Sequence, residues 1–253
     1  LFRSVTSCYF SGEELEVTGN GFDPTGHFFW RGKQIQPLAG ATGFPDVHGL
    51  KMLFAAGFHC NNADLKLEPE TKQWRLTGDP TEGALLVLGL KAGLKRGVVK
   101  RLAEIDFTSE RKRMGVLVEE EGGRLLYLKG AADVLLERSS KIRWAGQVIP
   151  LQSREKQKVN QAMEAMARRS LRVLALAYRP MTPTKSAVRE EDEDNLIFLG
   201  LVGIKDPVRP GVKEAIDRCR RAGIRTVMIT GDFPVTARAI GRELGLLRRD
   251  GLV

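Results

Sequence analysis

Residues 114–130 read MGVLVEEEGGRLLYLKG. Apolar residues crowd both ends, Val116 to Val118 on one side and Leu125 to Leu128 on the other, with glutamates and glycines between them. Each apolar run is too short for a helix and Glu121-Gly122-Gly123 is turn chemistry, so the stretch predicts a β-hairpin ending at Lys129. Upstream, residues 1–50 alternate short apolar or aromatic pieces with Gly, Pro and Asp, as in VTGNGFDPTGHF (17–28), and predict short strands and turns. In GLKMLFAAGFHCNNADL (49–65), Leu50, Leu53, Phe54 and Phe58 recur at helical spacing, Asn61-Asn62 suits the stop, and a strand pair is expected next. In TGDPTEGALLVLGLKAGL (77–94), Asp79 suits an N-cap, Pro80 the first helical position, and Glu82, three residues after Asp79, completes a capping-box-like pattern.

Downstream, Val159, Ala162, Met163 and Met166 mark one face of a helix that starts near Ser153. Arg172 opens a strand, RVLALAY, and after the acidic block EEDED (190–194) comes the apolar strand LIFLGLVGI (196–204). The last fifty residues are the most regular. Pro210 starts a helix with Val212, Ala215, Ile216 and Cys219 inward, IRTVMIT (224–230) reads as a buried strand, and a second helix runs from Pro234 to Gly245. Helix, buried strand and helix in series suit part of a doubly wound α/β unit, whose ligands sit at the carboxyl ends of strands, where Thr230, Gly231 and Asp232 fall. The region before residue 200, with hairpins and separated helices, reads instead as mixed α+β. Thr-Gly-Asp occurs at 77–79 and again at 230–232, each time ahead of a helix. The flanking sequences share no further similarity, so the two copies are convergent local solutions and not a repeat.

At 253 residues the chain suits about two domains with a real core. Its three cysteines, with no CxxC spacing, favour neither a disulfide framework nor a zinc site and point to a reducing compartment. Histidines 27, 48 and 59 show no ligand spacing, so no metal site is assigned to protein side chains. The longest apolar runs fall short of the roughly 18 residues a membrane span needs. The chain is therefore expected to be soluble, and its start without methionine and end just after a helix suggest a piece of a longer protein, expected to be monomeric. A net charge of +9 invites a nucleic-acid reading, but the basic pairs are scattered, aromatics are sparse, and EEDED is strongly acidic. These features argue against a nucleic-acid partner and for a solvated surface with one phosphate-binding patch.

Phe107, in IDFTSERKRMGV, is an aromatic that looks exposed, just ahead of the hairpin that Lys129 ends. Glu82 begins a capped helix and Arg172 begins a strand. An aromatic face, a carboxylate, a lysine and an arginine are the parts needed to hold a purine base and its phosphates.

Six motifs make this specific: GDPTEGAL (78–85), DFTSERKRM (106–114), KGAAD (129–133), LRVLALA (171–177), DPVR (206–209) and VMITGD (227–232). In this order they resemble the successive cytosolic motifs of P-type cation-transporting ATPases, closest to the calcium-pump branch. The resemblance implies a nucleotide-binding domain over 1–205, an antiparallel sheet flanked by helices. It further implies a partial phosphorylation domain over 206–253, an incomplete Rossmann-like segment of the haloacid-dehalogenase type, with a hinge at 206–209. It implies ATP and Mg2+ as cofactors, the cytoplasmic face of a membrane-embedded parent as location, and the parent's other domains and transmembrane helices as partners.

By the same resemblance Phe107 stacks on adenine, Glu82 contacts the adenine side, Lys129 lines the depth of the pocket, and Arg172 reaches the phosphates, with Thr108 and Met114 nearby. Thr230 and Asp232 face the phosphoryl group and its magnesium, and Asp206 and Arg209 stand at the hinge. The chain departs from the family pattern at Asp133, where a glutamate is usual, at DPVR, where a second proline is common, and at Phe233, where many relatives have asparagine. The family's Asp-Lys-Thr-Gly-Thr is not among the 253 residues, so the chain alone is expected to bind nucleotide without turning it over. Two rival readings are a soluble phosphatase with Asp206 as nucleophile and Thr230 as phosphate contact, and a basic nucleic-acid-binding module.

Overall fold

The computed structural model describes residues 3–19, 21–38, 43–206, 211–229 and 234–247. Four short strands come first, β1 (Ser4–Phe10), β2 (Glu13–Val17), β3 (Phe28–Trp30) and β4 (Lys33–Ile35), then helix α1 (Val47–His59), the hairpin β5 (Asp64–Leu67) and β6 (Trp74–Thr77), and helix α2 (Pro80–Lys91). Next come β7 (Lys100–Ile105), β8 (Arg113–Glu120), β9 (Gly123–Gly130), the short helix α3 (Ala132–Glu137), and the pair β10 (Ser139–Trp144) and β11 (Gln147–Pro150). Helix α4 (Ser153–Arg168), β12 (Arg172–Met181), β13 (Leu196–Lys205), α5 (Val212–Arg221) and α6 (Pro234–Glu243) complete the order.

The strands form one large sheet in the order β4-β3-β2-β1-β13-β12-β9-β8-β7, with antiparallel neighbours throughout. Beside the start of β13 runs β10, parallel to it, and β11 pairs with β10. The expected hairpin is β8–β9, with Met114 opposite Lys129 and Glu120 opposite Gly123. Strand β13, the run LIFLGLVGI, is buried along nearly its whole length because it is central to the sheet and covered on both faces. Gly200 is required there, since a Cβ would lie 2.2 Å from the carbonyl oxygen of Tyr9 on the neighbouring strand.

Alternation along the strands splits the core in two. Tyr127, Leu176 and Val202 face α1 and α2, where Leu50, Phe54 and Leu85 meet them. Leu126, Leu128 and Ala175 face the other way, against Leu135 of α3 and Val159 and Met166 of α4. The outer side of α1 and α2 closes over Leu65 and Trp74 of the β5–β6 hairpin. The fold is therefore an antiparallel sheet flanked by helices, as expected.

One expectation is corrected. Residues 224–229, read as a buried strand, form no ladder among the described residues, and Ile229 is 94% exposed. An apolar run becomes a strand only where neighbours fill its N–H and C=O groups, and no described strand lies beside this one. The α/β character expected of residues 206–253 rests on α5 and α6 alone. No described helix is long and apolar enough to cross a membrane.

Candidate functional site

The start of α2, the end of β9, the start of β12 and the β7–β8 loop come together around a cavity of ≈ 230 Å³. The antiparallel register sets Lys129 opposite Leu176 and Gly130 opposite Ala175, so the end of β9 and the beginning of β12 reach the same edge of the sheet. Leu85 and Leu174 give the cavity an apolar wall, and Asp79 and Thr81 line its mouth.

Helix α2 is started by chemistry visible in the sequence. The Asp79 side chain accepts hydrogen bonds from the N–H groups of Thr81 (2.7 Å) and Glu82 (3.2 Å), and Pro80 follows it. Burial alone raises the Asp79 carboxyl, but bonds from the Thr81 hydroxyl and those two N–H groups, with Arg3 nearby, outweigh it and hold the group below the usual carboxylate range. The capping box is not completed, which corrects that expectation. The Glu82 carboxylate turns away from the cap, accepting from the Asn62 N–H (3.1 Å) and from the Lys129 ammonium. Asn61 braces the same turn, donating from Nδ2 to the main-chain oxygen of Glu82 at 2.7 Å.

Lys129 lies on the face of β9 that carries Tyr127, which points it under α2, and it is buried. A charge at that depth needs a partner, and Glu82 supplies one. Phe107 belongs to the loop between β7 and β8 and is 53% exposed at the rim. Arg172 opens β12, is exposed, and lines the same cavity. Gly130 lets the loop close onto β9, because a Cβ there would lie 2.7 Å from the Lys112 carbonyl oxygen, which accepts from the Ala131 N–H at 2.9 Å.

Glu82, Phe107, Lys129 and Arg172 thus line one cavity. Other residues singled out in the sequence do not. Thr108 organises the loop, its hydroxyl oxygen accepting from the Arg111 N–H and its carbonyl from the Lys112 N–H. Met114, on β8, belongs to the core, and its carbonyl accepts from the buried Cys60 thiol at 3.3 Å. Asp206 is paired with Arg3 at 2.6 Å, and Arg3 also donates to the Thr81 hydroxyl at 2.6 Å, which ties the end of β13 to the cavity mouth. Arg209, Thr230 and Asp232 lie outside the described residues.

Sequence reasoning missed Leu174, which strand alternation from Arg172 points to, and the role of Glu193 in the acidic block. Glu193 is fully buried between Arg111 and Arg113, and eighty residues of separation hid that pairing. No group of three or more potential metal-ligating side chains occurs among the described residues. The cavity offers an apolar wall, an exposed aromatic ring, a buried lysine paired with a glutamate, and an exposed arginine. Such a set suits a flat ring carrying an anionic tail.

The family model for the P-type ATPase cytoplasmic domain N matches residues 49–211. The calcium-transporting ATPase of Bacillus subtilis (strain 168) is 37% identical over 255 residues, covering 99% of this chain and 28% of that protein. The cation-transporting ATPase pma1 of Synechocystis sp. is 37% identical over 251 residues, 96% of this chain and 27% of its own length. The putative calcium-transporting ATPase 7, plasma membrane-type, of Arabidopsis thaliana is 40% identical over 210 residues, 80% of this chain and 21% of its own. The chain therefore spans only about a quarter of the length of these relatives.

Proposed function

The chain belongs to the P-type ATPases, carrying their cytoplasmic domain N, and from that premise we propose that the cavity between Phe107 and Lys129 binds the adenine nucleotide of an ATP-driven cation pump. The observation that carries this is the convergence of Glu82, Phe107, Lys129 and Arg172, from four elements spread over ninety residues, on one cavity. Phe107 offers a face on which the base stacks, Leu85 and Leu174 exclude water from its edges, and the Glu82–Lys129 pair sets the polarity at depth. Arg172 takes the phosphates. ATP with Mg2+ is the cofactor, and Thr230 and Asp232 are assigned to the phosphoryl and magnesium side, with Asp206 and Arg209 at the hinge. In the longer pump, whose transported ion is most simply calcium, this domain holds ATP for transfer to an aspartate outside these 253 residues. The work is then mainly positioning and charge stabilisation.

Titration of the isotopically labelled chain with ATP, followed by amide NMR, tests the reading. Saturable shifts are expected at Phe107, Lys129, Gly130 and Arg172, with a dissociation constant on the order of 0.1 to 1 mM, since one domain alone grips the phosphates weakly. Saturable shifts centred elsewhere, or none at all, would contradict it.

A further inference from the structure

The Phe107 ring is more than half exposed, so its position depends on how the loop backbone is held. Thr108 closes its turn from within, and Arg111 ties it to the rest of the fold. Arg111 donates from Nη1 to the carbonyl oxygen of Asp106 at 2.6 Å, one residue before Phe107, and from Nη2 to Glu193 Oε2. Arg113 donates from Nε to the same Glu193 oxygen at 2.6 Å and from Nη1 to the Arg111 carbonyl at 3.2 Å. Glu193 has no solvent exposure, and Gly115 on β8 leaves room for it, since a Cβ there would lie 3.0 Å from Oε1. Glu190 also approaches Arg111 but is mostly exposed, and exposed pairs contribute little.

The short 3-10 helix at 190–193 that carries Glu193 is itself fixed. Arg179 of β12 donates to the carbonyl oxygens of Asp192 and Asp194, both at 3.0 Å, and Lys185 pairs with Asp192. Strand β12 also supplies Arg172 and Leu174 to the cavity. A continuous chain of contacts therefore runs from β12 through Glu193 and Arg111 to the Asp106 carbonyl.

We propose that Glu193 is a positioning residue for the nucleobase, acting through Arg111 to fix the loop that presents Phe107. The inference rests on the nucleotide reading above and adds a specific role for the acidic block, whose fourth residue holds the aromatic platform in register with the strand that carries the phosphate-side arginine.

A double-mutant cycle on the 253-residue chain tests it, with ATP and AMP affinities measured by NMR titration for the wild type, Glu193→Gln, Phe107→Ala and the double variant. Glu193→Gln is expected to weaken ATP and AMP alike, by roughly 3- to 10-fold, a part of what the stacked ring contributes. In the Phe107→Ala background the same change is expected to have no further effect. Should Glu193→Gln prevent folding, Arg111→Lys keeps a cation beside Glu193 while giving up the bond to Asp106, and the same pattern is expected. A wild type that binds neither nucleotide overturns the nucleotide reading together with this one. A wild type that binds, with affinity unchanged in the variants or lost equally with and without Phe107, overturns the positioning role alone.

Discussion

Lys129 and Glu82 make the cavity floor an ion pair with little solvent around it, their side chains being 7% and 15% exposed. Removing one partner of such a pair strands the other, so Lys129→Met is expected to destabilise the chain by about 3 kcal/mol. Adding Glu82→Gln should recover much of that, because an amide can keep one bond without carrying a charge. Urea denaturation of the two variants measures both effects. His59 gives the fold a second residue-scale signature. Half-buried beside Phe58 and stacked near Tyr127, its imidazole is pushed down to about 4 by desolvation. Below its unfolded value of about 6.5 the unfolded chain takes up a proton that the folded one refuses, so stability falls as the pH drops from about 6.5 towards 4. His59→Phe should flatten the urea midpoint across that window, and an unchanged slope would remove His59 as its source. Glu82, Phe107, Lys129 and Arg172 were legible in the sequence because each sits in a short motif with its own local chemistry, whereas Leu174 shows itself only by strand alternation. Glu193 was not, since nothing in EEDED marks which carboxylate turns inward.

At the scale of elements, legibility followed length and local punctuation. The hairpin at 114–130, the helix after Asp79 and the long strand LIFLGLVGI could be read because period, cap and turn agreed. The short α3 and the β10–β11 pair went unread, for few residues repeat within them and tertiary pairing decides their state. Capping predicts that Asp79→Ala weakens the chain by about 1 kcal/mol, visible as a lower urea midpoint with unchanged slope. The error at IRTVMIT has the opposite cause, since apolar β-branched residues state a preference that only neighbouring strands can satisfy. Amides at 224–229, without ladder partners among the described residues, should exchange with solvent well before those of β9, β12 and β13. Equal protection of the two regions would show that the segment is paired in solution.

On the scale of the whole molecule, the sheet serves to bring one strand end, one strand start, a helix N-terminus and a loop to the same edge, where the cavity lies. These 253 residues hold no Asp-Lys-Thr-Gly-Thr, so incubation with radiolabelled ATP and Mg2+ should leave no acid-stable label on any aspartate of this chain. The central claim is that Phe107 presents the adenine platform, and calorimetric or NMR titration of Phe107→Ala with ATP, ADP and AMP tests it most directly. A base stacked on an aromatic ring contributes about 1 to 3 kcal/mol, so all three affinities should fall by a similar factor, roughly 5- to 150-fold. Arg172→Ala, measured alongside, should weaken ATP more than AMP. A folded Phe107→Ala chain that still binds ATP with wild-type affinity would contradict the account.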